Sequence, residues 1–478
     1  MAGAGKNRTF VGVAWSAVER FSVQGINFLL QLIIARLLLP SDYGLIAMLA
    51  IFMAIAQCFI DSGFGNALIQ KQGRTQTDYS TVFYFNIAVG VVMYLLMVLA
   101  SPFIAEFYEQ PILQEIIVWW GLTLIINSFA IVQRTILTVA INFKLQAVIS
   151  VISVLISGLV ALYMAYTGYG VWALVVQSLL NSAIGTVLLW ALVRWHPSWV
   201  FSASSFRSLF SFGSKLLASG LLHTVYTNLY TLVIGKAFNA SELGLFSKAS
   251  SISKLPSLNI TGILNRVLYP ILCEVQDNDR RVTDKFYLYI RLSSLIVFPL
   301  MVGLAVVAEP AVLLVLSEKW LPCVPYLQIL SIAYMWDPVM NLTCSVLNVK
   351  HRSDLMLSAE IVKKVVAIII LAVTIPFGVK VMCYGLLCYS FIDMIIITQY
   401  TKRILPEITF FNHVKTILPV LLQSLLMGGA VLVWMYIFEN IYVELFGGVL
   451  VGAIVYMLTL LFFCKSEIKM ARDLFRKH

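Results

Sequence analysis

Apolar runs close to the length of a bilayer recur along the whole chain, and no other feature restricts its folding as much. "FYFNIAVGVVMYLLMVLA" covers residues 83–100, "VVAIIILAVTIPF" covers 365–377, and "LTLLFFC" closes residues 446–464. With their flanks, such stretches reach the roughly 20 residues that a helix needs to cross the hydrocarbon layer. Charged residues make up only 12% of the chain, against about 25% in soluble domains. The expected fold class is therefore an all-α polytopic membrane protein.

Fourteen candidate spans follow, at 10–38, 42–66, 80–103, 114–140, 146–166, 170–193, 208–236, 243–272, 284–307, 323–348, 355–376, 380–400, 414–437 and 441–464. The first holds Glu19, Arg20, Gln24, Asn27 and Gln31 and lacks a small-residue cleavage site, so it reads as a retained span and not as a signal peptide. Placing the N-terminus inside puts 19 Lys and Arg of the connections on the inner face and only Arg36, Lys236, Lys319 and Lys380 on the outer. That asymmetry obeys the positive-inside rule and predicts both termini in the cytoplasm. It also accounts for most of the net charge of +10, so the basic balance points to anionic lipid and not to nucleic acid. No connection exceeds roughly 20 residues, which leaves no room for a catalytic domain outside the membrane. The outer loop "AEFYEQPILQE" carries three glutamates but reads as a solvated loop, and no phosphate-binding glycine loop, nucleophile elbow or His/Cys cluster is present. Seven cysteines show no metal spacing and no disulfide framework. The chain is expected to be no enzyme and to need no cofactor.

One corner is written twice. "ARLLLPSDYGL" at 35–45 aligns without a gap on "GKAFNASELGL" at 235–245, with Arg36 over Lys236, Ser41 over Ser241, Asp42 over Glu242 and Gly44 over Gly244. In each copy a cation would close one helix, where the dipole is negative, and a Ser followed by an acid would start the next. Gly44 and Gly244 would let the two helices of the hairpin approach just after the bend. The match makes the first and seventh spans equivalent, so the repeat is six helices long and both copies enter the membrane in one direction. The expected organisation is a six-helix lobe at 1–200, a second at 201–403, helices 13 and 14 at 404–464, and a basic cytoplasmic tail at 465–478.

Corresponding helices carry polar stripes. Ser16, Arg20, Gln24, Asn27 and Gln31 are spaced by four, four, three and four, and Ser211, Lys215, Ser219, His223, Thr227 and Thr231 are all spaced by four, so each set lies on one helix face. On the eighth span Lys248, Asn259, Gly262 and Arg266 also share a face. Intramembrane cations cost about 2.5–3.5 kcal/mol on insertion scales and turn toward water, a partner or a substrate. A cavity between the lobes with Arg20, Lys215, Lys248 and Arg266 on its wall, together with Gln24, Asn27 and His223, would select an anion with a polar headgroup, such as a lipid pyrophosphate carrying a glycan. Arg20 has an alternative partner in Glu19 or Asp61, and Asp61 and Asp337 are candidate ion-coupling carboxylates as well as candidate kink residues. Glu360 with Lys363 and Lys364 reads as a local ion pair.

The sequence resembles the Wzx-type polysaccharide flippases, the polysaccharide-transport branch of the MOP exporter superfamily. The resemblance is carried by "ARLLLPSDYGL" (35–45), "DSGFGNALIQK" (61–71), "GYGVWALVVQ" (168–177), "LFSFGSKLL" (209–217) and "GLFSKAS" (244–250). It implies fourteen helices in two lobes, a cationic central cavity and alternating access. It further implies movement of undecaprenyl-pyrophosphate-linked oligosaccharide from the inner to the outer leaflet of the bacterial cytoplasmic membrane. Arg20, Arg36, Lys248 and Arg266 are the counterparts of that family's cavity cations, with Lys standing at 248 where the family often has Arg. Coupling to H+ or Na+ through Asp61, Glu19 or Asp337, and partnership with a polysaccharide polymerase and glycosyltransferases, are expectations of the same kind. Three readings stay open beside it: a multidrug or metabolite cation antiporter of the same fold, a lipid II flippase, and a membrane glycosyltransferase or polymerase.

Overall fold

A computed structural model describes residues 22–61 and 63–463, and these residues form helices and short connections with no strand among them. In order come α1 (Ser22–Leu37), α2 (Pro40–Asp61), α3 (Phe64–Gln70), α4 (Gln76–Tyr108), α5 (Ile112–Ser128), α6 (Ile131–Val139), α7 (Phe143–Tyr166), α8 (Val171–Leu192), α9 (Ala203–Thr227) and α10 (Leu229–Ala237). Then follow α11 (Ala240–Cys273), α12 (Asp279–Val306), α13 (Ala308–Val315), α14 (Val324–Tyr334), α15 (Asp337–Val349), α16 (Ser353–Thr374), α17 (Val379–Lys402), α18 (Phe410–Ile437) and α19 (Gly448–Phe463). The chain is an all-α polytopic membrane protein. A bilayer leaves no water for backbone N–H and C=O groups, and helices satisfy them within the segment.

Each of the fourteen predicted stretches holds helix. Eight helical segments among the described residues are long and apolar enough to cross a bilayer, and α5 with α6, bent by 41°, makes a ninth if taken as one span. The long helices outside that set are the polar ones. α9 carries the serine-rich stripe, α11 carries Lys248, Lys254 and Arg266, and α16 carries Asp354, Glu360, Lys363 and Lys364. The tenth predicted span is broken between α14 and α15, and Asp337 is the first residue of α15, followed by Pro338 in its first turn.

The two corners are built alike, and their capping differs from the sequence expectation. Arg36 lies in the last turn of α1 and Lys236 in the last turn of α10, as the dipole favours. The next helices begin before the serines, at Pro40 and at Ala240, so Ser41 and Ser241 lie inside the first turn and do not cap. Pro40 suits a first helical position because it has no N–H to leave unpaired, and Asp42 reaches back to accept from Leu39 N at 2.9 Å. In the second copy Asn239 caps, its Oδ1 accepting from Glu242 N at 2.9 Å. The glycines are also redirected, because each faces the other copy and not its own hairpin. A Cβ on Gly44 would overlap the carbonyl oxygen of Ala240 and lie 2.9 Å from its Cα. A Cβ on Gly244 would overlap the carbonyl oxygen of Pro40 and lie 3.0 Å from Gly44 N. The Pro40/Gly44 and Ala240/Gly244 spacings thus form a reciprocal small-residue contact in which backbone meets backbone.

The described residues fall into two compact units divided between Gly244 and Leu245. In the first, α2 packs on α4, α5, α8 and α9, and α4 on α5. A hydrophobic core there gathers Phe64, Phe83 and Val132 with Phe85, Trp190, Trp195 and Phe206 around them. The turn from α7 to α8 uses Gly168 (φ 87°) and Gly170 (φ 56°), both in the left-handed region. In the second unit α12 packs on α14, α15 and α18, and Phe298, Met301, Trp336 and Met427 belong to its core.

Between α3 and α4 the motif of residues 61–71 ends in a capped corner. Arg74 donates to the carbonyls of Leu68 and Ile69, closing the end of α3. Thr75 and Asp78 form a reciprocal capping box at the start of α4, and Lys71 Nζ lies 2.6 Å from Asp78 Oδ1. Thr75→Ala should lower thermal stability by about 1 kcal/mol. Melting of the purified chain in detergent checks this, and an unchanged midpoint would show that the cap contributes nothing.

Candidate functional site

A polar pocket lies inside the first unit, where α1, α6, α7 and α8 meet. Its volume is about 380 Å³, and its polar wall is made of Asn27, Arg134, Thr138, Gln146, Ser150, Ser153 and Asn181. The bend after α5 turns α6 so that Arg134 and Thr138, one helical turn apart, both reach the pocket. Gln146 joins α7 to α6, its Nε2 donating to Arg134 O at 3.1 Å and to Thr138 Oγ1 at 3.0 Å. The hydroxyls of Thr138 and Ser153 donate one turn back, to Arg134 O (2.9 Å) and Ile149 O (2.8 Å). Val23, Ile149, Val154 and Leu189 supply apolar surface, and Gly185 opens space on α8.

Among the predicted site residues, Asn27 lines this pocket and Gln24 sits half-buried about one turn before it on α1. Gln31, further along the stripe, is held in the structure: its Nε2 donates to Gln177 Oε1 and Tyr43 OH donates to its Oε1, both at 3.1 Å. Asp61 closes α2, accepts from Gln57 Nε2 at 2.9 Å and lies within electrostatic reach of Arg134. Arg36 is exposed at the end of α1, and His223 is exposed on α9. Glu19 and Arg20 lie outside the described residues, as does the side chain of Lys215 on α9.

In the second unit Lys248 is buried, its Nζ 5.8 Å above the ring of the fully buried Trp320. That contact is a cation–π arrangement in a desolvated setting. Arg266 is exposed. Asp337 is half-buried, accepts from Ser257 Oγ at 3.3 Å and feels Lys254, Lys363 and Asp393. Glu360 pairs with Lys363 (2.8 Å) and Lys364 (3.6 Å) as the sequence suggested, but Lys363 also bridges to Asp393 on α17 at 3.0 Å.

Sequence reasoning missed Arg134 and the bridge from Lys363 to Asp393. The signal for Arg134 was present, a cation inside the predicted span 114–140, yet it lies on no stripe with the period used to find the others. The bridge joins two helices whose mutual register one sequence does not reveal.

Comparison with known proteins then decides the family. The family described as "Polysaccharide biosynthesis protein" matches residues 33–325, more than half of the chain. The chain belongs to that family. Among similar proteins, the teichuronic acid biosynthesis protein TuaB of Bacillus subtilis is 29% identical over 347 residues, 72% of each chain. The lipopolysaccharide biosynthesis protein WzxC of Escherichia coli is 26% identical over 360 residues, 75% of this chain and 73% of that one. The lipid II flippase MurJ, in an inward closed conformation, superposes with a TM-score of 0.75 over 95% of this chain and 99% of its own, at 13% identity. At that identity the likeness is one of fold.

Proposed function

We propose that this polysaccharide biosynthesis protein is a flippase that moves a lipid-linked oligosaccharide from the inner to the outer leaflet of the bacterial cytoplasmic membrane. It does so by alternating access, and it is no enzyme. The observation that carries this reading is the pocket of Asn27, Arg134, Gln146 and Asn181, a half-open polar pocket with a cation on its wall among the helices of the first unit. Such groups are costly next to lipid and have use when a polar headgroup must pass through oil. An exporter of organic cations would need carboxylates there, and the described lining has none. Membership in a polysaccharide biosynthesis family, relatives named for teichuronic acid and lipopolysaccharide biosynthesis, and a fold shared with a lipid II flippase support the same reading.

In this reading the carrier is undecaprenyl pyrophosphate, the termini are cytoplasmic, and the corners at 35–45 and 235–245 mark two lobes at 1–200 and 201–403. The pyrophosphate meets cations of the central cavity, to which we assign Arg20, Lys215, Lys248 and Arg266. Coupling to H+ or Na+ falls to Asp61, within electrostatic reach of Arg134, to Asp337, which accepts from Ser257, or to Glu19. Deleting the gene should trap lipid-linked oligosaccharide on the cytoplasmic face. Right-side-out vesicles from the deletion strain should then expose little of that glycan to an added lectin, and re-expression should restore access. Full lectin access in the deletion strain would refute the flippase reading.

A further inference from the structure

The hydrogen-bonding pattern of the pocket is not that of a phosphate site. A phosphate or pyrophosphate offers acceptor oxygens only and calls for a wall of donors. Here the wall alternates. Gln146 Nε2 is engaged with Arg134 O and Thr138 Oγ1, which turns its Oε1 toward the role of acceptor. The hydroxyl protons of Thr138 and Ser153 go to backbone carbonyls, so their oxygens also present lone pairs. The side-chain amides of Asn27 and Asn181 make no hydrogen bond among the described residues, and each brings both a carbonyl and an NH2. Among the described lining residues Arg134 is the one cation.

A neutral sugar matches this pattern, because each of its hydroxyls donates and accepts. Its C–H faces match Ile149 and Leu189, and the volume of about 380 Å³ falls within the range of small-molecule sites, about 300–1,000 Å³. We propose that the half-open pocket lined by α1, α6, α7 and α8 is a sugar subsite that binds neutral pyranose units of the lipid-linked glycan, apart from the groups that hold its pyrophosphate. The proposal rests on the flippase reading and names what part of the substrate this pocket recognises. The pocket then sets which glycan is carried, through Asn27 and Asn181 as the hydroxyl-reading groups and Gly185 as the space for the ring.

The test compares two lipids on the full-length protein in nanodiscs: undecaprenyl pyrophosphate, and undecaprenyl pyrophosphate bearing a neutral N-acetylhexosamine disaccharide. The wild type should bind the glycan-bearing lipid about tenfold more tightly, as two net hydrogen bonds imply. Asn27→Leu with Asn181→Leu should bring the ratio of affinities close to one, and so should Gly185→Leu, which fills the pocket without removing a polar group. Thermal unfolding of each variant shows that it is folded when its ratio is read. Equal affinities in the wild type, or a ratio unchanged in folded variants, would overturn the sugar subsite while leaving the flippase reading intact. Failure of the wild type to bind either lipid would overturn both.

Discussion

Replacing Gly44 by alanine should destabilise the protein by about 2 kcal/mol or more, a large loss for a substitution that elsewhere in a helix is neutral or favourable. The added Cβ would fall on the carbonyl oxygen of Ala240, a backbone atom that no rotamer change can move aside. Either the first turn of α11 shifts away from α2 or the contact opens. Gly244→Ala should behave alike, since its Cβ would fall on the carbonyl oxygen of Pro40. The two substitutions press on one joint, so the double variant should lose well short of the sum of the singles, because separation forced by the first makes room for the second. Gly429→Ala is the control: nothing lies within 4 Å of its added Cβ. Melting temperatures of the four proteins in detergent, with surface polysaccharide as the functional readout, check the prediction. If Gly44→Ala melts like Gly429→Ala, the corners are not in backbone contact.

The second large effect is expected at Lys363. Its ammonium lies 3.0 Å from Asp393 and 2.8 Å from Glu360, and both Lys363 and Asp393 are less than a tenth exposed. Lys363→Met would leave the buried Asp393 carboxylate without its ion-pair partner at 3.0 Å, a loss of about 3–5 kcal/mol. Removing both charges together, as Lys363→Met with Asp393→Leu, should recover most of that loss, because a buried ion pair contributes little over an apolar pair of similar volume. Glu360 would keep Lys364 at 3.6 Å in either variant. A double variant as unstable as Lys363→Met alone would mean that Lys363 acts through something other than Asp393.

Much of the architecture was legible because apolar length and charge asymmetry act segment by segment. The stretches 80–103 and 146–166 correspond to α4 and α7, and the repeated corner predicted helix–turn–helix in both places. What failed was local competition within a single turn. Ser41 looked like a cap, but the helix starts ahead of it at Pro40 while Asp42 accepts from Leu39 N, and in the second copy Asn239 outcompetes Ser241. The partner of Gly44 was misassigned for a different reason. Small residues mark a close approach without saying to what, and contact between residues two hundred positions apart is not written in either segment.

The candidate site was less legible than the fold. The polar stripe on α1 pointed to Asn27, and Asn27 does line the pocket. The same stripe pointed to Gln31, which instead ties α1 to Gln177 and Tyr43. A polar side chain inside a membrane helix is needed equally for a ligand and for a neighbour, and only coordinates separate the two uses. Arg134 shows the converse: it reaches the pocket because α6 departs from α5 by 41°, and no periodicity along a straight helix could foresee that.

The seam at the corners consists of main-chain atoms, whereas the chamber is lined by side chains on α1, α6, α7 and α8. A junction of that kind is portable: its fit does not depend on which chemistry the chamber displays. Residues such as Asn181 and Ser153 can therefore be exchanged to retune cargo without reworking the joint, provided that Gly44 and Gly244 stay bare. Divergence in cargo and constancy in framework would then be properties of separate parts of the same chain.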